Sequence, residues 1–116
     1  MKQILVVLGL LLMTGCATVE ELRTQKPDAV LRMKLPPEEA AVCMTRNLER
    51  IHSGYRTDRR PGFDGGIEAV TTFADGTLFT VTDLKAQANG SVATMRLAGV
   101  PEFTKKGWIE KITAGC

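Results

Sequence analysis

The stretch IEAVTTFADGTLFTVTDLKAQANGSVATMRLA, residues 67–98, decides the fold. Its first run, from Ile67 to Phe73, is rich in β-branched residues. In its second, Leu78, Thr80, Thr82 and Leu84 alternate with Phe79, Val81 and Asp83. A third run follows from Ser91 to Ala98. A period of two is the mark of a strand with one face turned to a core. Between the runs stand Asp75-Gly76 and Asn89-Gly90, dipeptides that accept the left-handed backbone of a tight hairpin turn. Together they predict a three-stranded antiparallel meander.

Working outward from the meander adds further elements. Upstream, Tyr55 to Arg60 reads as a short strand, and Pro61 to Gly66 as a loop. Before them, Ala40, Ala41, Met44, Leu48 and Ile51 recur at helical spacing. Pro37 suits the first helical turn, where its missing N–H is not needed. Glu38 and Glu39 favour the positive end of the helix dipole, and Gly54 stops the helix. Ala29, Leu31, Met33 and Leu35 alternate with Val30, Arg32 and Lys34 and predict one more strand. Downstream, Pro101 closes the sheet region, and Thr104 is placed to cap a last helix carrying Trp108, Ile109 and Ile112 on one face. The expected fold is α+β in two layers, an antiparallel meander of three to five strands packed by an N-terminal and a C-terminal helix.

The N-terminal stretch has a different grammar. Lys2 precedes an apolar run from Ile4 to Met13, broken only by Gly9. A run of about ten residues is too short for a hydrocarbon core that needs roughly twenty, but it suits the apolar region of a secretory signal. The run ends in Leu12-Met13-Thr14-Gly15-Cys16, which resembles the lipobox of bacterial lipoproteins, with Met13 where Leu is commonest. That resemblance implies diacylglycerol on the Cys16 thiol and cleavage before it. Ala17 then implies sorting to the outer membrane. The expected organisation is a signal peptide over 1–15, a lipidated tether over 16–28 and a small domain over 29–116. Within the tether, Thr18 and Glu21 match a capping box, so a helical turn or two around Leu22 is expected. So short a helix is marginal by itself, and the segment is expected to be mobile.

Once Cys16 is assigned to lipid, Cys43 and Cys116 remain in an oxidising compartment, where a disulfide between them is expected. They lack the Cys-x-x-Cys spacing of redox-active pairs. The formal charge of +2 is small, and it names no polyanionic partner, so no nucleic acid is expected.

Groups able to do chemistry are sparse. His52 is the only histidine; it sits at a helix C-terminus and reads as a cap. Ser53 and Ser91 lie outside any Gly-x-Ser-x-Gly elbow. The carboxylates Asp64, Glu68, Asp75 and Asp83 could in principle supply a hydrolytic pair, though Asp64 and Asp75 are explained by a loop and a turn. No metal or cofactor is expected. One cluster reads as a binding patch: Tyr55, Arg56, Arg59, Arg60 and Phe63. Arginine and aromatic residues are favoured at binding hot spots, and guanidinium groups suit phosphates or an acidic partner. The competing reading is an edge strand that uses charge to block unwanted pairing.

Beyond the lipobox, the segment Leu35-Pro36-Pro37-Glu38-Glu39-Ala40-Ala41-Val42-Cys43, the hairpins at Asp75-Gly76 and Asn89-Gly90, and Trp108 with Cys116 look like those of small proteobacterial envelope lipoproteins. The resemblance implies a fold and a location without a reaction. The expected function is a non-catalytic, lipid-anchored envelope lipoprotein of the outer membrane, facing the periplasm and docking a protein partner. An exposed edge such as Ala29 to Leu35 could accept a partner strand. The alternatives are an inhibitor or immunity protein of a cell-wall hydrolase, and an enzyme acting on peptidoglycan or lipid.

Overall fold

The computed structural model describes residues 18–62 and 65–116. In chain order the elements are α1 (Val19–Thr24), β1 (Ala29–Met33), α2 (Pro37–Ile51), β2 (Arg56–Pro61), β3 (Ile67–Thr72), β4 (Leu78–Gln87) and β5 (Gly90–Leu97). A 3-10 turn, Glu102–Thr104, then leads into α3 (Lys105–Thr113). The strands form one antiparallel sheet in the order β1-β5-β4-β3-β2. Strands β2 to β5 are thus a meander, and β1 joins it at the far edge beside β5. Helix α2 carries the chain from one edge of the sheet to the other. The α+β class is as expected, with the strand number at the upper end of the range.

Both hairpin turns use the residues that the sequence offers. Gly76 has φ +88°, and the Asp75 carboxylate accepts the Thr77 N–H at 2.9 Å. Asn89 takes the left-handed conformation at φ 68°. Gly90 is required for a second reason: a Cβ there would lie 2.1 Å from the Met33 carbonyl oxygen of β1. Only glycine lets β1 close on this corner.

Helices α2 and α3 cover one face, here the inner face. Ala40, Ala41, Met44 and Leu48 of α2 and Ile109 and Ile112 of α3 are buried against Met33, Phe79, Leu84, Ala93, Met95 and Leu97. The helical stripe read from sequence is therefore the core face, except that Ile51 at its end is exposed. A register shift at Thr71/Thr72 leaves Phe79 as an additional residue on β4, a bulge that turns it into this layer. There its ring stacks on Tyr55 at 5.2 Å and meets Trp108 edge-on at 5.1 Å.

The Cys43–Cys116 disulfide joins α2 to the segment after α3, with 5.8 Å between Cα atoms. Asn47 reinforces it by donating to the carbonyls of Ile112 and Ala114, both at 2.9 Å. These are among the carbonyls that a helix leaves unsatisfied at its end. The Cys116 carbonyl in turn accepts the N–H groups of Lys34 and Leu35. Thr104 does not cap α3 through its side chain as expected; its hydroxyl donates back to the Pro101 carbonyl.

The opposite, outer face carries the main departure from expectation. Helix α1 forms where the capping box placed it, with Thr18 Oγ1 accepting the Glu21 N–H at 3.2 Å. It is not a free tether. Leu22 is buried in a second cluster with Val70, Leu78, Val81 and Ala98. The reason lies in the strands: β3 and β4 are apolar on both faces near one end, and the outer apolar patch needs cover.

Candidate functional site

The polar constellation that the fold assembles lies on this outer face. Strand register places Glu68 of β3 beside Asp83 of β4, with Arg60 of β2 and Thr94 of β5 flanking them. Glu68 is only 2% exposed, because α1 lies over it and lowers Arg23 onto its carboxylate. The contact is bidentate: Arg23 Nε–H donates to Oε2 at 2.8 Å and an Nη2–H donates to Oε1. This is the strong geometry for a guanidinium and a carboxylate. One strand further, Arg96 donates from Nε to the Gln25 carbonyl at 2.9 Å and places Nη1 3.7 Å from Asp83 Oδ2. Burial, and then the neighbouring Glu68 carboxylate, hold the Asp83 carboxyl above the usual carboxylate range, against the opposing pull of Arg96 and Arg23.

Chemically, this arrangement fastens a helix. Both oxygens of Glu68 accept hydrogen bonds from Arg23, so this carboxylate is paired with the helix that covers it. Removing Arg23 would strand a buried carboxylate, a costly state. The side of the sheet that the sequence offers as a carboxylate pair thus serves to hold α1 and the segment that follows it.

The arginine cluster is spread over both faces of the edge strand β2, with Arg59 and Arg60 sharing a hollow along that edge. Alternation along β2 puts Arg59 on the inner side, where Nη1 donates to Glu38 of α2 at 2.8 Å. Arg56 and Arg60 belong to the outer side with Asp58 between them, and all three are exposed. Tyr55 is turned away from the patch into the aromatic cluster with Phe73 and Phe79, and burial holds its hydroxyl above the ordinary value. Phe63 and Asp64 lie outside the described residues, as does Cys16.

The remaining reactive types have local duties. His52 ends α2 and accepts the Gly54 N–H on Nδ1 at 2.8 Å. Ser91 is buried and donates to the Leu35 carbonyl at 2.8 Å. Asp75 accepts within its turn, which holds its carboxyl below the usual range. Among the described residues no three His, Cys, Asp or Glu groups converge as metal ligands, and no helix is long and apolar enough to cross a membrane.

Beyond this network, a shallow groove of about 540 Å³ runs along α2 beside the disulfide, between Leu35, Val42, Arg46 and Gly115. Sequence reading missed Leu22, Arg23 and Arg96 as anchors. The one usable signal was Val70 and Val81, apolar residues on the face that alternation assigns to solvent. No protein-family model matches the chain, and no curated protein or solved structure matches it either.

Proposed function

We propose that the chain is a bacterial lipoprotein, anchored through lipid on Cys16 to the outer membrane and facing the periplasm, where it serves as a non-catalytic binding or structural module. The observation that carries this reading is the division of the three cysteines. Cys43 and Cys116 are joined to each other, a state favoured in oxidising compartments. Cys16 is then left without a cysteine partner at the end of Leu12-Met13-Thr14-Gly15-Cys16, the segment that resembles a lipobox. Two or more acyl chains on that residue hold a protein firmly, whereas one gives marginal binding.

The non-catalytic part rests on the outer-face network, in which the buried carboxylate is committed to Arg23. The protein partner is expected on an edge of the sheet. Strand β1 pairs with β5 on one side, and Val30 in its middle is 61% exposed.

Labelling in the native host with a palmitate analogue tests the anchor. The parent takes up label and Cys16→Ala does not; label persisting in the variant sinks the assignment. In-cell crosslinking followed by mass spectrometry tests the binding role. Recovery of an envelope protein supports it, capture of one cell-wall hydrolase points to an inhibitor, and no stable adduct removes the support for a partner.

A further inference from the structure

Resting on the lipid-anchor reading above, we propose that one end of the domain lies directly on the bilayer, with Phe103 entering the boundary between headgroups and acyl chains. The argument begins with chain length. Helix α1 starts at Val19 with Thr18 as its cap, and Cys16 is two residues before Thr18. Two residues span at most about 7 Å, and the polar zone of a bilayer is roughly 5–8 Å thick on each side. A lipidated Cys16 therefore leaves no room for a spacer, because α1 is itself fastened to the sheet through Leu22 and Arg23. Whatever surrounds Thr18 meets the headgroups.

The fold shows what surrounds it. Thr18 and Val19 line a hollow together with Asp75, Gly76, Leu78 and Gly99. The start of α1 thus shares one end of the sheet with the β3–β4 turn and the exit from β5. The link from β5 to α3 stays at this end. On one side Ala98 is held by its N–H to the Phe79 carbonyl. On the other, Lys105 is held by Asp28 at 3.0 Å, just before β1 begins. Phe103 lies between these two fixed points and is 87% exposed, the most exposed large apolar side chain among the described residues.

A phenylalanine so placed gains nothing from water and much from an interface where apolar surface can be buried. The charges nearby are mixed. Lys106 and Arg56 are exposed on this end, as are Asp75 and Glu102, the latter paired with Lys105 at 2.9 Å. The contact is therefore apolar at its centre and insensitive to the sign of the lipid charge. It also fixes orientation: the opposite end of the sheet, with Pro61 and the β4–β5 turn, points away from the membrane toward partners.

The test uses the full-length, acylated protein extracted from its host and reconstituted into vesicles of phosphatidylethanolamine and phosphatidylglycerol with brominated acyl chains. Trp108 is the native tryptophan and is packed against Phe79, so Phe103→Trp adds one reporter on a surface position. The expected result is that the added emission shifts to the blue and is quenched by the brominated chains, while the parent emission changes little. Added emission that stays water-like in acylated, vesicle-bound protein overturns the orientation while leaving the anchor intact. A blue shift without bromine quenching, also present in detergent, overturns it in favour of contact between copies. Absence of acyl mass and of vesicle binding defeats both readings, and intact mass tells this case from the others.

Discussion

The two faces of the sheet are covered by different means. The inner face has two helices, an aromatic cluster and a covalent link between Cys43 and Cys116 across 73 residues of sequence. The outer face has one helix of six residues, attached chiefly through buried Leu22, with Val19 packed beside it, and the bidentate ion pair of Arg23 with Glu68. A helix that short does not persist alone in water, so its presence depends on what Leu22 and Arg23 find on the sheet. Cover on the inner side is built into the whole fold, whereas cover on the outer side is a local attachment. The two should therefore fail separately.

The largest expected effect belongs to the inner face. A bridge closing a loop of this length removes about 4 kcal/mol of unfolded-state entropy, a large share of the stability of a small domain. Replacing both Cys43 and Cys116 by Ala should lower the urea midpoint by the equivalent of that amount. The aromatic near-UV signal of Trp108 and cleavage by trypsin at Arg23 should then change together, because the whole domain unfolds. If α1 came loose well before the aromatic signal in this variant, the bridge would be acting on the outer face too, and the comparison would break.

The outer face should show the reverse. Leu22→Ala removes a buried side chain from the cluster of Val70, Leu78, Val81 and Ala98, at a cost of about 3 kcal/mol. Part of the loss should appear as detachment of α1 alone. Trypsin would then cut at Arg23 at denaturant levels where Trp108 still reports a folded inner layer. Equal protection of Arg23 in parent and variant would show that the polar contacts, the ion pair with Glu68 first among them, suffice to hold α1.

This division also explains how much of the molecule was legible from sequence. Period-two runs with Asp75-Gly76 and Asn89-Gly90 between them, and the stripe from Ala40 to Leu48, are local signals. They gave the meander and α2 because one buried face is enough to set a period. The bridge was expected from the cysteine count and from the oxidising compartment that the lipobox-like segment implies. Strand order could not be read, because β1 pairs with β5 far along the chain rather than with a sequence neighbour, and Gly90 reveals its role only when the Met33 carbonyl lies against it. Docking of α1 was hidden for a similar reason: Val19 and Leu22, one helical turn apart in a polar segment, are too few to set a period, and the partners Val70, Leu78, Val81 and Ala98 come much later in the chain. The arginine cluster shows how a strand distributes neighbouring residues. Neighbours on a strand point to opposite faces, so Arg59 reaches Glu38 of α2 while Arg60 leans outward, and the two meet only at a hollow along the edge of β2.

The smallest effect tests the electrostatics of the outer face. In the folded protein Asp83 holds its proton more tightly than in the unfolded chain, through burial first and the Glu68 carboxylate second. Its ionised form therefore costs stability. That cost is absent below the unfolded pKa, which is about 4 for Asp, and complete once the pH has passed the raised folded value. Asp83→Asn removes the cost, while Arg96 gives up only a contact of 3.7 Å. At neutral pH the variant should match or exceed the parent by less than about 1 kcal/mol, the scale of partly exposed charge pairs. Below the ordinary Asp range the parent should draw level. Urea midpoints at the two pH values measure the difference. A variant weaker than the parent at neutral pH would mean that Arg96 needs Asp83 to hold the Gln25 carbonyl, and that the outer attachment has a second charged support besides Arg23 and Glu68.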